Sequence, residues 1–372
     1  MLEKGKINAS EFQILVIIFT LGSAIILTTA PLARVAKQDA WIAAILTTLI
    51  TLFFVLLFNQ LATLYPSMTY VEYNEKIVGK WIGKMTALIY LFYVYHITCG
   101  QVRDMADFFT SQVLVETPIQ MIIIIFVITS LIGVRLGLEV ICRSAVIFFP
   151  WIIALLFLLF FFLIPEVKLE NIQPIYGEGI KPIIKASYGS LGNPLQLALF
   201  LMIIPYVTDK TEMKKAFYKG QLIGGTSIII ITIFSILVLG FGITAIQLYP
   251  TFTLAKKISI GNFLDRIEII LTIVWILSLY FKMTIGFYGL SLGLAQVLGL
   301  KSYKILTYPL AFLIITFSTF MHPNSVHLHN FLKNTLTPYS LTICLFFPLL
   351  LLVIGKIRKK HSASTATKLP IR

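Results

Sequence analysis

The chain has 372 residues, of which 58% are hydrophobic and only 12% charged, with a mean hydropathy of +0.91. That balance excludes a disordered chain and an ordinary soluble globule. The net charge of +14 sits in loops and in the tail Lys356-Ile357-Arg358-Lys359-Lys360, a distribution that fits anionic lipid headgroups and excludes a nucleic-acid surface.

Taken in chain order, apolar runs predict ten helical spans, approximately over residues 12–31, 40–61, 85–109, 119–138, 145–164, 187–206, 221–246, 269–296, 306–321 and 336–355. The runs are too long and too evenly apolar for barrel strands. The first run follows Met1-Leu2-Glu3-Lys4-Gly5-Lys6 and lacks a small-residue cleavage pattern, so it reads as a retained span. It contains Thr20-Leu21-Gly22-Ser23-Ala24, a small-residue interruption. The third run carries Arg103-Asp104-Met105-Ala106-Asp107 near its outer end. Arg103 and Asp107 share a helical face, which fits either a salt bridge tying helices together or a role at the mouth of a site.

Residues 165–186, rich in proline and glycine, form the longest outer connection and separate five spans from five. The sixth run contains Tyr188-Gly189-Ser190-Leu191-Gly192-Asn193-Pro194, a second interruption. Here Pro194 removes a backbone donor. The segment 247–268 is long enough to hold a surface-lying amphipathic helix. The eighth run carries Lys282 near its middle, with Ser278 one turn earlier on the same face. A buried ammonium there needs a carboxylate, carbonyls, water or a ligand. The ninth outer loop holds His322, His327 and His329, read as a solvated polar loop. His96 reads as a hydrogen-bonded helix residue, with a proton relay as the alternative.

An even number of spans puts both termini on one side. With the termini inside, nineteen basic residues fall in inner segments, Lys4 included, and nine in outer ones, Arg266 included, so the termini are expected in the cytoplasm. The first span then enters from inside and the sixth from outside, as an inverted five-plus-five repeat requires, with about 12–164 and 187–355 as the two halves and 356–372 as a basic tail. Interruptions at matching places in two such halves point to a small-solute site at the bilayer midplane. Tight helix packing at Gly22 and Ser23 is the competing reading of the first one. The three cysteines, Cys99, Cys142 and Cys344, have no paired spacing, and no metal or cofactor motif is present.

Several stretches together carry a resemblance: Glu11-Phe12-Gln13 through Leu21-Gly22-Ser23; Asp39-Ala40-Trp41; Tyr65-Pro66; Val78-Gly79-Lys80-Trp81-Ile82-Gly83-Lys84; Arg103-Asp104-Met105-Ala106-Asp107-Phe108; Glu116-Thr117-Pro118; Arg135-Leu136-Gly137-Leu138-Glu139; Asn171-Ile172-Gln173-Pro174; and Gly179-Ile180-Lys181-Pro182. In order and spacing the chain resembles the B subunits of endospore nutrient germinant receptors, within the amino acid–polyamine–organocation transporter superfamily.

The resemblance implies an all-α, ten-span fold of the LeuT type and a non-enzymatic sensor in the inner membrane of the spore. Its partners would be an A subunit and a lipoprotein C subunit, and its ligand a nutrient: an amino acid, sugar or nucleoside. It implies no cofactor. The implied ligand site lies between helices one, three, six and eight. On this chain that selects Gly22, Ser23, Ala24, Tyr188, Gly189, Gly192, Asn193, Ser278 and Lys282. Arg103, Asp104, Asp107 and Pro194 are expected in structural or coupling roles. The acidic residue that the resemblance implies after the sixth-helix break is missing from Gly192-Asn193-Pro194-Leu195-Gln196, so Asn193 or Gln196 would supply neutral contacts. The alternatives to a sensor are a secondary transporter of the same fold and a scaffold subunit with a vestigial pocket.

Overall fold

A computed structural model describes residues 2–3, 5–257 and 268–366, with side chains as far as residue 358. Lys4, Arg266, most of the expected helix beyond Lys257 and the last residues of the basic tail lie outside the described residues. The described chain consists of helices joined by turns and short connections, and its one β contact is an isolated bridge between Ile7 and Val207.

The helices in order are α1 (Ala9–Leu21), α2 (Ala24–Leu27), α3 (Thr29–Ala36), α4 (Ala40–Leu64), α5 (Tyr70–Val78), α6 (Lys80–Phe108), α7 (Ile119–Leu136), α8 (Leu138–Leu163), α9 (Ile180–Ser190), α10 (Gly192–Leu195), α11 (Lys210–Ile246), α12 (Pro250–Ala255), α13 (Glu268–Leu298), α14 (Thr307–Phe320), α15 (Ser325–Asn334), α16 (Leu336–Ser340) and α17 (Phe347–Ala366). Eight helical stretches among the described residues are long and apolar enough to cross a membrane. The ninth expected span is the 14-residue α14, and the sixth is broken into α9, α10 and short 3-10 turns. The protein is a multi-pass membrane protein.

Local chemistry sets the helix starts. Asn8 and Glu11 cap α1 reciprocally, each side chain accepting from the other's backbone amide at 2.8 Å. Thr69 and Glu72 do the same for α5. Asp209 accepts from the amides of Thr211 and Glu212 at the start of α11.

Three boundaries differ from expectation. The sixth segment starts at Ile180, so α9 takes the end of the connection expected over 165–186. Helix α11 begins at Lys210 because its polar first turns continue the helix beyond the apolar run. Between 247 and 257, the described part of the expected surface helix is only the six residues of α12, and these are largely buried.

The packing obeys an exchange of the first five segments for the last five. Helix α4 packs on α11, α6 on α13 and α7 on α14, each on its own counterpart. Helix α1 against α11 is matched by α9 against α4, α1 against α8 by α10 against α16, and α7 against α13 by α14 against α6. Such pairing is compatible with two five-segment halves related by a pseudo-two-fold axis.

The α1–α11 seam depends on close backbone approach. A Cβ on Gly224 would lie 2.7 Å from Thr20 Cβ, and one on Gly220 would lie 2.9 Å from Val16 Cβ. Gly224→Leu is therefore expected to destabilise the detergent-solubilised protein by about 1–3 kcal/mol, read as a lower melting temperature. An unchanged melt would contradict this close seam.

Candidate functional site

The backbone leaves the helix at Gly22 (φ −3°, ψ −112°), after its amide donates to Ile18 O at 2.9 Å. The chain restarts at Ala24. Lys282 on α13 fills the gap: a Cβ on Gly22 would sit 2.5 Å from Lys282 Cδ and 3.2 Å from its Cβ. Glycine is required because the lysine stem lies across its Cα. Lys282 is buried, and its ammonium lies 5.1 Å from the centre of the Phe19 ring, within cation–π range.

Phe19 and Lys282 line two small chambers, one on either side of them. The first chamber, about 40 Å³ open to water centres, lies towards α4 and α11 and is bordered by Thr20, Thr47, Thr48, Thr51, Asn193 and Gln221. The second, about 20 Å³, lies towards α6 and is bordered by Tyr90, Tyr93, Thr98, Gln101 and Gln196. At roughly 10–15 Å³ per water, the pair holds a handful of waters. A chain of amides runs from α6 to the second break: Gln101 Nε2 donates to Gln196 Oε1 at 3.2 Å, and Gln196 Nε2 donates to Asn193 Oδ1 at 3.3 Å. Gln101 Oε1 is buried with no partner among the described residues, an acceptor left for water or ligand.

Outside this centre lies a buried charged layer. Arg103 Nε donates to Asp107 Oδ1 at 2.9 Å, and its Nη1 to Thr319 O on α14 at 3.0 Å. Asp104, also buried, interacts electrostatically with Lys282 as well as with Arg103 and Asp107. Above them, His322 Nδ1 and His327 Nδ1 share a hydrogen bond of 3.0 Å. The sequence reading of a solvated loop is corrected for His322, which is 1% exposed, whereas His327 is exposed and His329 half-buried. Burial, reinforced by His327, His96 and Arg103, lowers the His322 pKa to about 4. No cluster of three metal-ligating side chains occurs among the described residues.

The inner end is tied as well. Glu3 accepts from Tyr303 Oη at 3.0 Å, Tyr288 Oη at 3.3 Å and the Leu138 amide at 3.4 Å. The Ile7 amide donates to Tyr206 O, and Ile7 O accepts from Thr208 N, clamping the N-terminal segment to the end of the sixth segment.

Of the residues selected from sequence, Ala24, Asn193, Pro194 and Lys282 meet in the first chamber, and Gly22 touches Lys282. Ser23 is buried beside them. Four others stand apart from the chambers. Tyr188 is 51% exposed, and Gly189 accepts from Thr337 Oγ1 through its carbonyl. A Cβ on Gly192 would lie 2.7 Å from Leu336 Cγ. Ser278 donates back to Val274 O on its own helix. Arg103, Asp104 and Asp107 form the outer layer.

Sequence reasoning missed Phe19, the threonines of α4, Gln101 and Gln221. The threonines carried a readable signal: Ala44, Thr47, Thr48 and Thr51 fall on one helical face of small and polar side chains.

Comparison with known proteins sets this geometry in context. A family model described as spore germination protein matches residues 6–326. The chain is 26% identical to spore germination protein KB of Bacillus subtilis over 365 residues, covering 97% of each chain. It is 25% identical to spore germination protein YndE of the same organism, covering 96% of this chain and 98% of that one. Among solved structures, it is similar to Mhp1, a nucleobase-cation-symport-1 family transporter, with a TM-score of 0.64, 14% identity, and 91% of this chain and 76% of that chain covered. It is also similar to a variant of the manganese transporter of Eremococcus coleocola, with a TM-score of 0.65, 13% identity, and 94% and 81% covered. MhsT in complex with L-phenylalanine gives a TM-score of 0.61 at 12% identity, with 92% and 97% covered. These likenesses show the shared transporter fold.

The histidine layer yields a pH prediction. A folded-state pKa lowered from 6.5 to about 4 means that the neutral His322 ring contributes stability above pH 6.5, and this is lost as pH falls through 4. The stability advantage of the native chain over His322→Asn is expected to shrink across that window in thermal melts. A gap independent of pH would contradict it.

Proposed function

This chain belongs to the spore germination protein family, and from that membership we propose that it is the nutrient-binding membrane subunit of a spore germinant receptor. The observation that carries the reading is the meeting of both broken segments at small chambers gated by Phe19 and Lys282. A nutrient entering there makes contacts that depend on how the chambers are opened, so it favours one arrangement of the helices over another. The two five-segment halves, about 12–164 and 187–355, are the units that move.

The ties found at both ends give such movement definite elements to act on. Widening the chambers strains the Arg103–Thr319 bond on the outer side and the Glu3–Tyr303 bond on the inner side. In this reading the change passes to an A subunit and a lipoprotein C subunit in the inner spore membrane. The excess of basic residues on the segments that share a side with the termini supports a cytoplasmic position for both termini. Catalysis is no part of the reading; the centre presents no nucleophile–base pair.

A secondary transporter is the second reading, favoured by the fold shared with Mhp1 and MhsT. Both readings need a central pocket and mobile helices, and uptake separates them: a carrier concentrates solute in vesicles containing this chain alone.

Spores of the source organism lacking this chain are expected to lose their response to at least one nutrient, and the native gene to restore it. Asn193→Leu, with protein level unchanged, is expected to shift the half-maximal nutrient concentration upward by about tenfold, the cost of one lost polar contact. Unimpaired germination of the deletion strain with every nutrient would contradict the receptor reading.

A further inference from the structure

Where α4 ends and α11 begins, the two helices border a groove of about 460 Å³. It shares no lining residue with the two central chambers. It lies on the side of the molecule that carries the termini. Gln60 Oε1, on its rim, accepts from Lys356 Nζ of α17 at 3.0 Å. On α4 the groove is bordered by Leu56, Asn59, Gln60 and Thr63, which recur at helical spacing and share one face. On α11 the facing positions are Lys214, Lys215, Tyr218 and Lys219.

Polarity is graded along this groove. Leu56 is exposed, and the same face of α4 continues away from the helix end as exposed Phe53 and Leu49. On α11 the matching apolar surface is the exposed Leu222. Towards the helix ends, the lining becomes amides and ammonium groups. Tyr218 stands at the transition, where an amphipathic ring marks the boundary between hydrocarbon and headgroups. A molecule seated here therefore meets an apolar wall at one end and positive charge at the other.

The charge is available. Lys215 is paired with Glu212 at 2.8 Å, but no salt bridge among the described residues takes up Lys214 or Lys219. Both are exposed, and no carboxylate borders the groove. Basic pockets between membrane helices at the headgroup level select anionic lipids.

A buried atom narrows the choice of headgroup. Asn59 is 8% exposed. Its Nδ2 donates to Lys214 O at 3.3 Å, a bond that ties α4 to α11. Its Oδ1 is buried with no partner among the described residues. An acceptor left over at the groove calls for a donor on whatever fills it. An ionised phosphate diester has no hydrogen to give, so the donor has to be a hydroxyl elsewhere on the headgroup. Phosphatidylglycerol combines acyl chains, one negative phosphate and free hydroxyls. Phosphatidylcholine has no net charge and no hydroxyl, and its cation would face the lysines.

We propose that this groove is a binding site for an anionic glycerophospholipid with a hydroxylated headgroup, of the phosphatidylglycerol class. Lys214 and Lys219 hold the phosphate, and Asn59 Oδ1 accepts from a headgroup hydroxyl. The acyl chains lie along Leu56 and Phe53. The occupant bridges α4 and α11. This site is independent of the receptor reading and of the central chambers.

The test is native mass spectrometry of the purified full-length chain in detergent, titrated with single lipids. The probes are phosphatidylglycerol, phosphatidylcholine and phosphatidylmethanol, the last an anion of equal charge without the hydroxyl. Soluble glycerol phosphate is added as a competitor. Phosphatidylglycerol is expected to bind saturably and more tightly than phosphatidylcholine, and about fivefold more tightly than phosphatidylmethanol. Lys214→Gln combined with Lys219→Gln is expected to weaken its binding about thirtyfold. Lys181→Gln combined with Lys185→Gln, the same charge change on α9, is expected to leave it unaltered. Asn59→Ala is expected to abolish the preference over phosphatidylmethanol. Should Asn59→Ala fail to fold, as seen in its melt, the lysine pair decides, since both of those side chains are exposed. The proposal is overturned if phosphatidylcholine binds as tightly, if phosphatidylmethanol does, or if the folded lysine variant binds phosphatidylglycerol as the native chain does. Displacement of the lipid by equimolar glycerol phosphate would also overturn it, because the site would then take a soluble phosphate and not a lipid. So would loss of a co-purifying protein from the lysine variant with lipid binding unchanged, which would make the groove a protein interface.

Discussion

An ammonium buried in the middle of a membrane helix has to be accommodated before anything else in this fold can be. Lys282 achieves this by lying across the one place where the first segment has no side chain and no continuous helix. Its stem rests on Gly22, its charge faces the Phe19 ring, and its electrostatic partner is Asp104 on α6. Lys282 joins α13 to α1 by contact and to α6 by charge. Asp104 in turn interacts with the Arg103–Asp107 ion pair on the same helix. Removing any one of them strands another in a medium that solvates it poorly.

From that arrangement follows the character of the centre. The side chains that border the chambers are hydroxyls, amides and aromatic rings, with Lys282 shared between the two. Phe19 and Lys282 divide the space into two chambers, both contracted to the volume of a few waters. The charged and histidine layers lie on one side of the centre, and the N-terminal segment is tied down on the other through Glu3 and Ile7. A receptor and a carrier share this requirement for a sealed centre whose opening is coupled to ligand. They differ in whether the two seals open in turn and release the solute.

Much of the architecture was legible in the sequence because hydrocarbon demands long, uniformly apolar helices, and those leave an unmistakable pattern. The two breaks were legible because glycine and proline mark them, and Lys282 was conspicuous as a lone charge in an apolar run. The α4 threonines were not singled out, since threonine in an apolar helix commonly bonds to its own backbone, and only the tertiary arrangement shows where its remaining lone pairs lie. Tyr188 shows the converse: it lies close in sequence to Ser190, which lines the chamber, yet its own side chain is 51% exposed. The histidine loop misled because burial of His322 depends on α15 folding back over α6, a contact that hydropathy does not encode.

The balance of buried charge is tested most directly by a double-mutant cycle on Lys282 and Asp104, read as thermal stability of the full chain in detergent. Lys282→Met alone removes a cation that interacts with Asp104 and is expected to destabilise the chain, and Asp104→Asn alone is also expected to destabilise. Combined, the two substitutions are expected to recover most of the loss, because the pair is removed together. Losses that simply add would contradict the account, since the two charges would then be held by separate surroundings and not by each other.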